Sequence, residues 1–70
     1  LKAAGAISLG KLNMHEWALG TTNVNAFFPT ARNPWDRDRI TGGSSAPSAA
    51  AAAASIALGT LGSDTGRSIR

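Results

Sequence analysis

Six consecutive alanines, Ala49 to Ala54, constrain the fold of this chain more than any other feature. Alanine is the best helix former, and a helix tolerates a proline such as Pro47 in its first turn, where the N–H groups have no partner. Ser45 stands before them as a candidate N-cap. The run predicts an α-helix that is apolar on nearly every face, and we expect such a helix to be buried on most sides.

The chain is too small to cover such a helix well. A chain of 70 residues buries only about 60% of its unfolded surface. The absence of cysteine excludes disulfides, thiolate metal sites and a thiol nucleophile, and His15 cannot form a metal site by itself. We therefore expect no metal and no cofactor. We also expect that the 70 residues alone show neither catalytic turnover nor a cooperative unfolding transition.

The charge pattern argues against a nucleic-acid or membrane partner. The net charge is +3, but the basic side chains are interleaved with aspartates, whereas nucleic-acid binding favours clustered basic charge. The longest apolar stretch, residues 49–58, is interrupted by Ser55 and is too short to cross a bilayer. Residues 1–9 do not form a convincing signal peptide. We expect a cytoplasmic location, with no direct nucleic-acid contact and no membrane contact.

Short apolar segments alternate with glycine-rich turns, which predicts an α/β class. A strand is expected on each side of a long loop and the alanine helix. The predicted elements are the tail of a helix over Leu1–Gly5, a buried strand that starts at Ala6 and ends near Lys11 to Asn13, a helical turn over Met14–Leu19, a loop over Thr21–Gly43, the helix, and a short apolar segment over Ile56–Leu61 as the second strand.

Two turns rich in glycine and serine are the candidate chemical sites. They are Gly42 to Ser48 and Gly62 to Arg70. Glycine permits backbone conformations in which successive N–H groups point into one concavity. A serine hydroxyl beside such N–H groups suits acyl transfer, because the hydroxyl attacks a carbonyl and the N–H groups hold the oxyanion. Two flexible linkers would have the same composition, so both interpretations stand on composition alone.

The order of these motifs closely resembles the amidase signature family. The spacing of 24 positions between Ser44 and Ser68 is also the spacing of the family, and the resemblance covers nearly all 70 residues. The matching residues are Gly10-Lys11-Leu12-Asn13-Met14-His15-Glu16, Ala18, Gly20, Arg32-Asn33-Pro34-Trp35-Asp36, Gly42-Gly43-Ser44-Ser45, Ser48-Ala49-Ala50-Ala51, Leu58-Gly59, Ser63-Asp64-Thr65-Gly66 and Ser68-Ile69-Arg70.

The resemblance implies a fold and a reaction. The fold would be α/β/α on a mixed sheet, and residues 1–70 would be the central part of one amidase signature domain, truncated at both ends and dependent on the rest of that domain for folding. The reaction would be hydrolysis of a small-molecule carboxamide. A member of the type found as the A subunit of the tRNA-dependent amidotransferase would instead release ammonia from glutamine.

The resemblance also implies a Ser–cis-Ser–Lys mechanism. Ser68 matches the nucleophile that forms the acyl-enzyme, and Ser44 matches the bridging serine, which follows a cis peptide bond. Ser45 matches the serine that supports their hydrogen bonds, and we expect Asp64 to orient the nucleophile turn through backbone hydrogen bonds. The backbone N–H groups that match the oxyanion hole belong to Thr65, Gly66, Arg67 and Ser68.

A serine nucleophile needs a base, and the chain offers no clear one. In the family the catalytic lysine lies in a separate motif before the segment that matches Lys11, so we expect the base to lie outside this chain. His15 can be interpreted as a base or as a structural, pocket-lining residue, and the second interpretation is favoured. Trp35 and Asp36 are expected to brace the long loop.

Two departures from the family pattern bear on activity. Ala46-Pro47 replaces two glycines after the paired serines, and Arg67 replaces a glycine before the nucleophile. Arg67 could misplace the oxyanion N–H groups, and the protein would then be a degenerate, non-catalytic member of the family that only binds its ligand. In that case Arg67→Gly should raise activity. Alternatively, its fixed positive charge selects an anionic substrate. Both interpretations remain open at this point.

Overall fold

A computed structural model describes residues 1–70 and contains one α-helix. Helix α1 spans Ala46–Ala53, and two short 3-10 turns cover Lys2–Ala4 and Glu16–Ala18. The first turn ends at Gly5 in the left-handed conformation, as the sequence predicts. The 3-10 turn over Glu16–Ala18 occupies part of the helical turn predicted over Met14–Leu19. No helix in the chain is both long enough and apolar enough to span a membrane.

The predicted α/β class with a mixed sheet is wrong, because the structure contains no strand. A strand is stabilised by hydrogen bonds to a neighbouring strand, and the two predicted strands find none. No backbone N–H of residues 7–10 or 57–61 donates a hydrogen bond within the chain. Their apolar side chains are correspondingly exposed, with Ile7 at 86% and Leu9 at 72%. These segments therefore remain irregular connections rather than a sheet.

The predicted alanine helix is confirmed, but its expected burial is wrong. Pro47 occupies the first turn of α1, and only Ala46, Pro47 and Ala51 are buried within it. Nothing else in the chain covers the opposite face, on which Ala49 and Ala52 are exposed. Ser45 precedes the helix but makes no capping hydrogen bond with its side chain. Its hydroxyl is used elsewhere.

The predicted loop over Thr21–Gly43 lacks regular structure and is organised by asparagines instead. Asn23 is completely buried, with φ at 58°. Its side-chain carbonyl accepts the N–H of Ala31 at 2.8 Å, and its amide donates to the carbonyl of Asn13 at 3.0 Å. One buried side chain thus ties Ala31 of the loop to Asn13, which precedes the loop.

The buried residues lie mostly where the first serine turn enters the helix. Six residues are buried, and the apolar core is reduced to Ala46 and Ala51 with Pro47 beside them. The other three are Asn23, Ser44 and Ser45. Both tryptophans are largely exposed, Trp17 at 90% and Trp35 at 84%. The best-packed part of the molecule is therefore polar and contains the paired serines.

Candidate active site

Ser44 and Ser68 meet through their side chains. Ser44 Oγ donates to Ser68 Oγ at 3.0 Å, although 24 positions separate the two residues. Ser44 is 1% exposed and Ser68 is half-buried. The prediction that these hydroxyls lie together is confirmed, and the site is built around this pair.

Three features describe the backbone at Ser44: one peptide-bond geometry and two contacts. The peptide bond between Gly43 and Ser44 is cis, at the position where the family resemblance implies one. The carbonyl of Ser44 accepts the backbone N–H of His15 at 3.0 Å. Gly43 lies directly against the backbone of Gly20. A Cβ at position 43 would stand 2.6 Å from the carbonyl oxygen of Gly20, so there is no room for one. Residues 15–20 therefore form the support behind Ser44.

A seam of side-chain hydrogen bonds brings the second turn back to the first. Ser45 Oγ donates to the carbonyl of Ser63 at 2.9 Å and accepts its N–H at 3.1 Å. Ser48 Oγ donates to the carbonyl of Leu61, and Thr60 Oγ1 donates to the carbonyl of Ser48 at 3.0 Å. The seam aligns residues 60–63 with the start of α1, so that the following turn delivers Ser68 to Ser44.

The roles of Ser48 and Thr60 in this seam were not predicted from the sequence. One signal could have identified Ser48, because it follows Ser45 by three positions and so lies on the same face at the start of the helix. Thr60 carries no comparable signal, since its partner is 12 positions away along the chain.

The carboxylate of Asp64 organises the turn that contains Ser68. It accepts the N–H groups of Arg67 at 2.6 Å, Ile69 at 3.2 Å and Arg70 at 3.0 Å. It also accepts the Arg70 guanidinium through Nε at 3.1 Å and Nη2 at 3.3 Å. The hydrogen bonds from Arg70, followed by those from Arg67 and Ile69, hold the pKa of Asp64 well below its usual range. The predicted backbone hydrogen bonds of Asp64 are confirmed.

The four N–H groups expected at the oxyanion hole are not equivalent. Asp64 already accepts the N–H of Arg67, and Arg67 has φ at 90°, a region that favours glycine. The N–H groups of Thr65, Gly66 and Ser68 donate no hydrogen bond within the chain. Three of the four N–H groups therefore have no hydrogen-bond partner within the chain.

An open cleft of about 320 Å³ is lined in part by Ser68. Its lining also includes Thr21, Thr41, Gly42, Gly43 and Arg67. Arg67 is the only charged residue among those that line it, and Thr41 Oγ1 is buried without a hydrogen-bond partner. The cleft thus combines Ser68 with polar walls and one positively charged residue.

No base within the chain contacts either serine hydroxyl. Lys11 is exposed, and its side chain forms no hydrogen bond or ion pair. His15 approaches Ser44 only through its backbone N–H, and its Nδ1 is buried without a partner. Asp36 pairs with Arg39 at 2.9 Å and accepts the N–H of Asp38, so it braces its own loop. Trp35 is exposed.

Comparison with known proteins decides the family. The family model described as Amidase matches residues 1–70, which is the whole chain. The chain belongs to the amidase family. Among curated amidase relatives, the A subunit of Glutamyl-tRNA(Gln) amidotransferase from Cupriavidus pinatubonensis is 57% identical over all 70 residues, as is that from Syntrophobacter fumaroxidans. The corresponding protein of Coxiella burnetii is 54% identical.

The match covers a small part of each relative. The chain spans 14% of the length of these amidotransferase proteins while matching them over 100% of its own length. No solved structure gives a significant match. Family membership therefore rests on the sequence comparison, and the arrangement of the site rests on the contacts described above.

Proposed function

We propose that residues 1–70 are the central part of an amidase domain and carry the nucleophile and the bridging serine of a carboxamide-cleaving site. The observation that carries this proposal is the 3.0 Å contact between the hydroxyls of Ser44 and Ser68. A linker has no need of a buried serine whose hydroxyl meets that of a second serine, or of unpaired N–H groups in the turn that carries the second serine. An acyl-transfer site needs both features.

In the proposed reaction Ser68 is the nucleophile. Its Oγ bonds to the amide carbon, and its proton passes to Ser44 Oγ while the proton of Ser44 moves on to a base. Each hydroxyl rotates freely, so the same contact serves with Ser68 as the donor. The C–N bond then breaks, and the nitrogen leaves as ammonia with the returned proton. Water cleaves the resulting ester on Ser68, which releases the carboxylic acid and restores the hydroxyl.

The free N–H groups of Thr65, Gly66 and Ser68 are the proposed oxyanion donors. They act when the amide oxygen gains charge, which is where preorganised donors contribute most to rate. We propose that the base is a lysine outside these 70 residues, because neither Lys2 nor Lys11 forms a hydrogen bond to the serine pair through its side chain. The remaining walls of the site would come from the rest of the domain.

The names of the relatives favour an amidotransferase over a simple amidase. Several are the A subunit of a Glutamyl-tRNA(Gln) amidotransferase and are 54–57% identical to this chain. We therefore propose that the protein containing these residues obtains ammonia from a small amide and works with other subunits. The 70 residues themselves take part in amide chemistry and do not contact nucleic acid directly.

A second candidate function is amide binding without turnover. The observation that favours it is Arg67, which stands at φ 90° with its N–H bound to Asp64, so one of the four expected oxyanion donors is occupied. A site with fewer donors binds an amide but stabilises its transition state less. Such a protein would be a non-catalytic member of the family.

Covalent labelling separates the two candidates. The complete amidase domain is treated with a fluorophosphonate, which reacts only with an activated serine, and the labelled residue is found by mass spectrometry. The catalytic proposal expects modification of Ser68, loss of labelling in Ser68→Ala, and normal labelling in the control Ser8→Ala. Absence of any labelled serine in the folded wild-type domain would favour the binding-only candidate.

A further inference from the structure

We infer that Arg67 is a specificity-determining residue that selects amides carrying a carboxylate on their acyl chain. The inference rests on the proposed function, because it assigns a substrate class to the same site. It depends on an arginine that stands immediately before the proposed nucleophile and is one of the residues lining the cleft. A neutral amide offers the guanidinium no negative charge to bind.

Arg67 is the only source of charge in the cleft wall. The other lining residues are threonine, serine, glycine, alanine and isoleucine, and none of them carries a charge. A single fixed charge in such a cleft sets the sign of the local potential, which attracts an anion and opposes a cation. The wall is therefore positive beside Ser68.

The neighbouring carboxylate does not neutralise Arg67. Asp64 is the nearest acidic residue along the chain, and its two oxygens accept the Arg70 guanidinium at 3.1 and 3.3 Å. Arg67 contributes only its backbone N–H to Asp64, and its guanidinium forms no hydrogen bond or ion pair within the chain. Of the two arginines in this turn, Arg70 is paired and Arg67 is free to bind a ligand.

The guanidinium of Arg67 is well suited to bind a carboxylate. Its planar fork donates two parallel hydrogen bonds to a carboxylate, which orients the ligand as well as attracting it. The N–H of Arg67 is fixed by Asp64 at 2.6 Å, so the side chain starts from a restrained backbone. An acyl chain held at its carboxylate end by Arg67 would present its amide carbon to the adjacent Ser68.

The test compares two amides of equal chain length in the complete amidase domain. Glutaramate carries a carboxylate where pentanamide ends in a methyl group. Arg67→Met removes the charge at similar length, Arg67→Lys retains the charge without the fork, and Arg37→Met is the matched control because Arg37 lies outside this cleft. The readout is the ratio of kcat/KM for glutaramate to kcat/KM for pentanamide.

We expect Arg67→Met to lower this ratio by about 10- to 100-fold, the usual loss when a hydrogen bond to a charged group is removed. For glutaramate, Arg67→Met should raise KM more than it lowers kcat. Arg67→Lys should retain part of the wild-type ratio, and Arg37→Met should leave the ratio unchanged. An unchanged ratio in Arg67→Met overturns the inference.

Direct binding keeps the inference separate from the proposed function. Calorimetric titration with glutaramate does not require turnover, so tight binding that Arg67→Met weakens supports the selectivity of Arg67 even in a protein that hydrolyses nothing. That combination would reject the catalytic proposal alone. Hydrolysis that Ser68→Ala abolishes, together with equal glutaramate binding by wild type and Arg67→Met, would reject the inference alone.

Discussion

The backbone N–H of Arg67 donates to Asp64 Oδ1 at 2.6 Å, and this contact closes the turn that leads into Ser68. The same carboxylate also receives the N–H groups of Ile69 and Arg70, so donors on both sides of Ser68 converge on one residue. The position of the proposed nucleophile therefore depends on Asp64. Ser44 is supported separately, from the segment that contains His15 and Gly20.

Asp64→Asn should slow reaction at Ser68 without removing any proposed catalytic group. The amide of asparagine places a donor where the carboxylate accepts N–H and guanidinium groups, so the turn should move. A displacement of about 1 Å in a reacting group costs on the order of 100-fold in rate. Fluorophosphonate labelling of Ser68 in the complete domain measures this, and Asp36→Asn is the control because Asp36 braces a different loop. Equal labelling rates in Asp64→Asn and wild type would contradict the role given to Asp64.

The pH dependence of stability should carry the signature of Asp64. Its pKa is lowered in the folded state, chiefly by the hydrogen bonds from Arg70, so the folded protein favours the ionised form. The contribution of ionised Asp64 to the free energy of unfolding is fully present above its pKa in the unfolded chain, near 4. That contribution is lost as the pH falls through the lower pKa of the folded state. In the complete amidase domain, the urea midpoint of the wild type should fall more steeply below about pH 4 than that of Asp64→Asn. Parallel curves for the two proteins would count against this linkage.

Local rules predicted the helix and the family motif predicted the serine pair. Pro47 and the alanines act through the conformation of their own backbone, so sequence alone identified α1. The meeting of Ser44 and Ser68 was predicted from motif spacing, because a helix and a return segment between two fixed turns can bring their ends together. Neither prediction required knowledge of distant packing.

The failed predictions depended on partners that no local rule identifies. Residues 6–10 and 56–61 have strand-like patterns, but a strand also needs a neighbour to bond with, and none lies beside them here. Ser45 has the residue type and position of an N-cap, yet its hydroxyl bonds Ser63, which is 18 positions away. The Ser45 hydroxyl bonds the distant backbone groups of Ser63 instead of capping the helix, and the residues near Ser45 in the sequence give no sign of this partner.

Ser45→Ala should weaken the seam that returns the nucleophile turn to the helix. The Ser45 hydroxyl satisfies both the N–H and the carbonyl of Ser63, and Ser45 is only 6% exposed. Losing a hydrogen bond of this kind costs about 0.5–1.5 kcal/mol, so the urea midpoint of the complete domain and the rate of Ser68 labelling should both fall. Ser8→Ala is the control, since the Ser8 side chain is exposed and unbonded. Labelling that stays at the wild-type rate would show that the seam does not position Ser68.

Gly43→Ala should displace the support behind Ser44. The added Cβ would stand 2.6 Å from the carbonyl oxygen of Gly20 and 3.0 Å from Thr21 Cα, and both obstacles are backbone atoms. Forcing atoms into occupied space typically costs about 1–3 kcal/mol and shifts the backbone. Gly59→Ala is the matched control, because nothing lies within 4 Å of its new Cβ. We expect slower Ser68 labelling and a lower urea midpoint in Gly43→Ala only, and equal effects of the two substitutions would contradict the close approach at Gly43.

Arg67→Gly and Arg67→Ala should separate the backbone of Arg67 from its charge. With φ at 90°, an L-residue is strained by about 1–2 kcal/mol, and glycine removes this strain. Glycine also loses more conformational entropy on folding, which lowers the free energy of unfolding by about 0.5–1 kcal/mol. The urea midpoint should therefore rise modestly in Arg67→Gly and not in Arg67→Ala. Both variants lose the guanidinium, so both should lose the preference for glutaramate over pentanamide. If Arg67→Gly alone instead accelerates hydrolysis of both amides, then the strained backbone limits the oxyanion donors, and Arg67 impairs this site rather than selecting its substrate.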